Sequence, residues 1–432
     1  MSSYFKKFKY ILNFANQFNF ASIIIVFMLF GAILETFSIA MIFPLVDSLL
    51  LPTSNKSENI FFDYISRLDL VTNQNYTYFL ILIFILKFLL KNIFLLFIAY
   101  LNVRFIYNLQ SFLSNNIFDY YLRQDLEYHS YNHSSNLIRN TKGEVERFGS
   151  IIKITLNLVI ELLVVFTMLV FLLFFSFLAT MFIFLTLFLF IFLYYIFFKK
   201  ILIEWGNKRQ RFDGKIIKLI QDGIGSIQEL KILNREEEVT NKFKLNIFEF
   251  FSIQRKFNFL NAFPRILIEM LAVLFFSLFI IVSLNLGSDI SKIIPTIAVF
   301  TAVAFRLMPS FIRIINLLQQ VRYDMPVIQV VYRELKNLET YQEKISKDNK
   351  NINPFLFSDS ITFEDVSFKY PSSENYLFKN LSFKIKKNDF FGISGQSGVG
   401  KSTIISMLIG LYKPNSGFIK VDNNFISGNL SN

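Results

Sequence analysis

No cysteine occurs in the 432 residues. That excludes a disulfide framework, a thiolate zinc site and a cysteine nucleophile, and it fits any compartment. Histidine is nearly as scarce. The two present, His129 and His133, have the i, i+4 spacing of a zinc pair, but no thiolate supports them, so no metal site is expected there. Neither a Ser/His/Asp arrangement nor an acid pair suggests hydrolytic chemistry on a substrate. There is no internal repeat and no low-complexity linker. The first seventeen residues carry Lys6, Lys7 and Lys9 but no short apolar core ending at a small-residue cleavage site, so they are not a secretory signal. The single tryptophan, Trp205, reads as an interfacial anchor. Charge is also sparse: 18% of residues are charged against 53% hydrophobic, and 56 are Phe, too apolar a balance for a soluble chain. A net charge of +12 is the usual sign of nucleic-acid binding. Here long uncharged stretches alternate with basic segments, which instead indicates a membrane protein with basic cytoplasmic loops and no nucleic-acid partner.

A helix needs roughly 20 apolar residues to cross about 30 Å of hydrocarbon. The first candidate span runs from Phe20 to Leu45 and the second from Tyr78 to Leu101. Between Lys153 and Lys199 the only charge is Glu161. As one helix that stretch would reach roughly 68 Å, about twice the bilayer core, so it must fold back near Ser176–Thr180 into spans three and four. Span five covers Ile266–Leu286, and span six covers Ile293–Leu318 with Arg306 and Arg313 inside it. Basic residues crowd the N-terminus, Arg104–Arg147 and Lys199–Lys256, whereas Leu51–Asn75 and Gly287–Lys292 carry few. The positive-inside rule then places both termini in the cytoplasm. Residues 102–150 and 199–262 read as helical extensions of the spans beyond the bilayer. Residues 1–19 form either an interfacial helix, with Phe5, Phe8, Leu12 and Ala15 on one face, or an ordinary solvated one. Residues 319–356 are a charged connector, and a soluble domain occupies 357–432.

That last segment holds the most specific motif, Gly395-Gln396-Ser397-Gly398-Val399-Gly400-Lys401-Ser402, followed by Thr403. Its spacing arises by chance in about one in a hundred chains of this length. In such a phosphate-binding loop the glycines let backbone N–H groups curl around phosphate oxygens, the lysine reaches the β/γ-phosphates, and the Ser402 hydroxyl is the expected Mg²⁺ ligand. Phe391-Gly392-Ile393-Ser394 reads as the strand leading in, and Thr403–Ile409 as the helix leading out.

Ile361-Thr362-Phe363-Glu364-Asp365-Val366-Ser367-Phe368-Lys369-Tyr370-Pro371 resembles the opening strand of an ABC-transporter nucleotide-binding domain. Gly410–Asp422 is similar to the turn and antiparallel strand of the same domain. The resemblance implies that Tyr370 stacks on the adenine of ATP and that Mg²⁺ accompanies the nucleotide. The fold class it implies is an α-helical, six-span, exporter-type membrane domain followed by the N-terminal part of a P-loop α/β domain. The chain would then be a half-transporter that pairs with a second subunit, as a homodimer in a bacterial inner membrane, and works by alternating access. Coupling helices would lie at Tyr128–Asn136 and Gly223–Lys231.

Within that family, Gly31–Glu35 with Ile42-Phe43-Pro44, Ser226–Lys231 with Asn234-Arg235-Glu236, Pro264-Arg265 with Glu269, and Phe305–Pro309 resemble the bacterial lipid-linked oligosaccharide flippases and polysaccharide exporters. A lipid-linked or otherwise amphipathic substrate follows. Exporters of lipids, drugs or peptides share the architecture and remain the alternative.

Lys87, Lys91, Arg306 and Arg313 lie inside spans, where a charge costs at least roughly 2.5–3.5 kcal/mol and needs a partner or a wet cavity. They read either as a cavity wall for the pyrophosphate of a polyprenyl-linked glycan, or as structural partners of Glu35, Glu161 and Glu269.

In the family the nucleotide domain continues through a glutamine loop, an LSGGQ-type signature, an acidic strand with the catalytic glutamate, and a switch histidine. None precedes Asn432. The expectation is a truncated domain with no catalytic residue of its own. Residues beyond Phe357 are too few to bury a full core and are expected to be partly folded when alone. The chain is then the front part of an ATP-hydrolysing translocase, or else an inactive membrane subunit.

Overall fold

The computed structural model describes residues 2–41, 76–173, 177–285, 290–348, 357–370, 373–422 and 424–425. The low-charge loops at 51–75 and 287–289, Ile42-Phe43-Pro44, Pro371, part of the connector and residues 426–432 lie outside the described residues. The chain divides into two compact units, Met1–Asn115 with Arg139–Leu335, and Asn116–Ile138 with Lys336–Asn432.

The first unit is helical. Helix α1 (Ser2–Phe14) precedes α2 (Phe18–Ala40), and α3 (Tyr76–Leu122) runs well past the apolar run that starts it. After α4 (Leu126–Tyr131) and α5 (Ser134–Ile138), which belong to the second unit, a π-helical turn at Arg139–Glu144 leads into α6 (Val145–Leu173). Then come α7 (Phe177–Gly225), α8 (Ile227–Leu233), α9 (Glu236–Asn285), α10 (Ile290–Asp324) and α11 (Pro326–Asp348). Local chemistry sets several boundaries. Asn234 adopts a left-handed conformation after α8 and stops it, while the Arg235 N–H closes on the Leu230 carbonyl at 3.0 Å. Three glutamates open α9, where a helix dipole favours acids. The uncharged stretch between Lys153 and Lys199 is split between α6 and α7, which end and begin at Leu173 and Phe177.

Among the described residues, three helical stretches are long and apolar enough to cross a membrane: Phe18–Ser38, Tyr78–Leu122 and Ser134–Phe171. The chain therefore has a helical membrane domain. Helices α7, α9 and α10 occupy the positions of spans four to six, and many of their side chains lie outside the described residues.

Helix α1 uses much of its apolar face against protein: Phe8 meets Phe148 at 5.8 Å, Tyr10 meets Tyr332 at 5.0 Å, and Leu12 and Ala15 are buried. Trp205 packs against a buried cluster that includes Leu202, Ile315 and Tyr323, so its ring serves the interior of the unit.

The same region holds a buried polar group of contacts. Arg209, 1% exposed, bonds Asp324 at 2.5 Å and lies 4.7 Å over the Tyr323 ring. Glu144 receives Gln210 at 2.9 Å and faces Arg139 at 3.4 Å, and Asn140 donates to Glu334 at 3.2 Å. Gly206 is obligatory beside it, because an added Cβ would fall 2.1 Å from the Tyr323 carbonyl oxygen.

The second unit contains a four-stranded antiparallel sheet of order β2-β1-β3-β4, from β1 (Ser360–Phe368), β2 (Phe378–Lys386), β3 (Ser416–Val421) and β4 (Asn424–Phe425). Phe363 pairs with Phe383 on one side and Ile419 on the other, stacking on Phe383 at 4.4 Å. Helix α12 (Lys401–Leu408) adds Met407 to the core of Phe363, Val366, Phe368 and Ile419. The register shifts around Asp365, which is left-handed, and Gly417 fits opposite because a Cβ there would meet two backbone oxygens at 2.4 Å.

One expected strand does not form. Phe391-Gly392-Ile393-Ser394 is unpaired: among the described residues it makes no ladder with any of the four strands. A strand exists only through lateral hydrogen bonds. Phe391 stacks on Phe383 at 5.3 Å instead, which anchors the chain without a ladder.

Asp422 ties the end of β3 back to the start of β1. Its carboxylate accepts the N–H groups of Ser358, Asp359 and Ser360 at 2.5, 2.7 and 2.7 Å, and these bonds hold its pKa down from 3.8 to about 2. Because the folded-state pKa is depressed, the contribution is complete above pH of about 4 and is lost as pH falls through about 2. The protection of the Ser358–Ser360 amides relative to their intrinsic exchange should therefore fall across that window, and Asp422→Asn should lack that fall. Protection that stays constant with pH in the parent chain would refute the assignment.

Candidate nucleotide site

The phosphate loop joins the unpaired segment before it to α12. Gly398 and Gly400 both have positive φ, at 85° and 100°, conformations that glycine adopts without cost. Gly400 also has no room for a side chain, since a Cβ would lie 2.7 Å from Leu377. From Ser394 to Val399 the loop is exposed, so its backbone is accessible to a ligand. The Lys401 ammonium donates to the Gly395 and Gln396 carbonyls at 2.7 Å each. It thus sits across the loop opening, with positive charge where a polyphosphate would enter. Ser402 is exposed on the first turn of α12, with its hydroxyl available for a metal. Glycines in left-handed geometry, an ammonium over the loop and an exposed helix N-terminus fit a nucleoside triphosphate with Mg²⁺.

Tyr370 lies two residues beyond β1, next to α12. Its hydroxyl hydrogen-bonds the buried Thr403 hydroxyl at 2.6 Å, and its ring meets Phe368 and Tyr412 edge-on at 5.2 and 5.7 Å. Burial pushes the Tyr412 phenol above its ordinary pKa and keeps it neutral. The structure therefore brings Tyr370, Lys401, Ser402 and Thr403 together around one helix start. The Thr403 contact has no signal in the motif, which gives only its position.

The four cations assigned to a substrate cavity have separate surroundings in the helical unit. Arg313 is paired with Glu161 at 2.5 Å and also donates to Ser310 at 3.1 Å, so the structural partner is what its geometry provides. The ammonium of Lys91 lies 4.1 Å over the Phe88 ring and the residue is buried, whereas Lys87 is exposed. Arg306 belongs to α10, and its side chain lies outside the described residues. Glu269 pairs with Arg265 at 2.9 Å. His129 bonds the Tyr121 carbonyl at 2.9 Å, and among the described residues no cluster of three metal-ligating side chains occurs.

Comparison with known proteins adds the family. The model of the ABC transporter transmembrane region matches residues 22–308, and that of the ABC transporter domain matches residues 378–431. The chain is 54% identical over 66 residues to ABC transporter B family member 13 of Arabidopsis thaliana, which is 15% of this chain and 5% of that protein. It is 45% identical over 69 residues to a putative export ATP-binding/permease protein of Rickettsia bellii, 16% of this chain and 12% of the relative. With the alpha-hemolysin translocation ATP-binding protein HlyB of Escherichia coli O157:H7 it shares 32% identity over 157 residues, 36% of this chain and 21% of that one. The chain thus spans about a fifth or less of the length of these three relatives. With the transmembrane-region match covering well over half of its residues, the chain belongs to the ABC transporters, carrying an exporter-type membrane region and an ATP-binding domain.

Proposed function

We propose that this chain is a half-transporter that pairs with a second, identical subunit and moves an amphipathic substrate across a bacterial inner membrane, with both termini cytoplasmic. The observation that carries the reading is the Lys401 phosphate loop placed behind an exporter-type membrane region. In this reading Lys401 meets the β/γ-phosphates, Ser402 ligates Mg²⁺, the backbone of residues 395–400 wraps the phosphates, and Tyr370 supports the adenine. Bound ATP supplies the free energy of phosphoanhydride cleavage. The chain's own residues bind and orient the nucleotide.

For the substrate, the short stretches around Gly31–Glu35 and Ser226–Lys231 support a lipid-linked oligosaccharide or polysaccharide precursor. Export of a polypeptide is the second reading, favoured by the 157-residue similarity to the haemolysin translocator. The test uses the longest product of the gene in proteoliposomes. A flippase shows ATP hydrolysis stimulated by polyprenyl-pyrophosphate glycan and not by unfolded peptide. Stimulation by peptide alone selects the second reading, and hydrolysis indifferent to both overturns the glycan assignment.

A further inference from the structure

Helices α2, α3 and α6 leave a cavity of about 210 Å³ between them, smaller than the usual site of a whole drug-sized ligand. Its orientation can be read from the contacts around it. Phe20 and Phe27 of α2 meet Phe105 and Phe97 of α3, so these helices are antiparallel. Gln110 and Ser114 of α3 bond the Glu146 and Thr141 carbonyls, so α3 also opposes the chain direction entering α6. Thr36 of α2 bonds Thr167 of α6 at 2.7 Å. These registers place Asn102 and Lys153 at one level, near residue 22 of α2, with Asn157 one turn deeper and Glu35 at the far end. The slot is about 20 Å long at ~1.5 Å per residue.

Its lining is graded. Lys153, Asn157 and Asn102 stand at the end near the start of the apolar run Phe18–Ser38, where a bilayer has its headgroups. Met28, Ala32, Leu95, Ile98, Ile160 and Val164 line the remainder, and Glu35 stands at the deep end. Among the described residues Lys153 has no ion-pair partner. Lys153 is exposed at this mouth of the slot, and an unpaired lysine at headgroup level attracts anionic lipid.

We infer that the slot binds an anionic-headed amphiphile. The phosphate or carboxylate lies on Lys153 and the amides of Asn157 and Asn102, with one hydrocarbon chain along the apolar wall. This site does not depend on the transport reading; it needs only that the three helices lie in a bilayer.

The test uses the full chain in phosphatidylcholine nanodiscs, without nucleotide. The discs are doped with diazirine-chain phosphatidylglycerol or with diazirine-chain phosphatidylcholine, and crosslinks are mapped by mass spectrometry. The anionic probe should label the slot wall about fivefold more than the zwitterionic one, the factor one lysine gives toward anionic lipid. Lys153→Glu should abolish that preference and Lys153→Arg should keep it. Ala99→Phe, which narrows the apolar part without changing charge, should lower labelling as well, with gel-filtration profiles of the variants reporting their folding. Millimolar inorganic phosphate should leave the labelling unchanged, and displacement by phosphate would assign the head site to a free anion and overturn the lipid. Equal labelling by both probes, or a preference that survives Lys153→Glu, would overturn the site.

Discussion

Lys401→Ala lowers the affinity of the chain for ATP by about 10- to 150-fold, the equivalent of the roughly 1.5–3 kcal/mol that a hydrogen bond to a charged group contributes. The structure adds a second consequence. Lys401 also ties the Gly395 and Gln396 carbonyls together at 2.7 Å each, so its removal releases the loop before any nucleotide arrives. Amide exchange over residues 395–400 should then rise in the nucleotide-free protein. Lys401→Gln separates the two roles: its amide can still donate to a carbonyl, but it carries no charge toward a polyphosphate. Loop protection in that variant should recover in part while ATP affinity stays low. A fluorescent-nucleotide titration and exchange on the same samples decide the matter. Unchanged affinity in Lys401→Ala would remove the nucleotide site itself, whereas unchanged exchange would remove only the bracing role.

What could be read ahead of the structure follows the range of the interactions concerned. The phosphate loop is local: glycines at 398 and 400 and the lysine at 401 define the turn by themselves, and the turn forms as expected. β1 and β3 were legible through the family resemblance of Ile361–Pro371 and Gly410–Asp422, and their apolar residues face a core built by their own segment. Phe391–Ser394 is just as apolar, yet a strand also needs a neighbour, and apolarity says nothing about who supplies the ladder. Inside the helical unit the limit is clearer. Arg313 and Glu161 are separated by 152 residues, and only folding decides that they meet. Lys153 reads in sequence only as the charge that bounds an uncharged stretch, and only the register of three helices turns it into the wall of a slot. The Tyr370–Thr403 bond belongs to the same class, a contact across 33 residues between a strand end and a helix start.

The largest loss of stability is expected at a contact with no sequence signal. Arg209 on α7 and Asp324 at the end of α10 meet at 2.5 Å, with the residues 1% and 7% exposed. Removing either partner leaves the other as an uncompensated buried charge, a change that costs about 3–5 kcal/mol. Asp324→Ala should be at least as damaging as Arg209→Met, because a guanidinium cannot shed its proton to escape burial, whereas a carboxylate can gain one. Lysine should not replace Arg209, since the planar guanidinium both reaches Asp324 and lies over the Tyr323 ring at 4.7 Å. The decisive variant is the double one. Arg209→Met with Asp324→Leu removes both charges together and should restore much of what each single change loses. A double-mutant cycle on thermal unfolding in detergent then shows strong coupling between the two sites. If the losses merely add, the pair is incidental and the close packing of Gly206 against the Tyr323 carbonyl holds α7 to the end of α10 without it. If they couple, the ion pair fixes where α10 ends and α11 begins. Its charges then set the geometry of that junction, while the apolar cluster around it supplies the bulk of the packing.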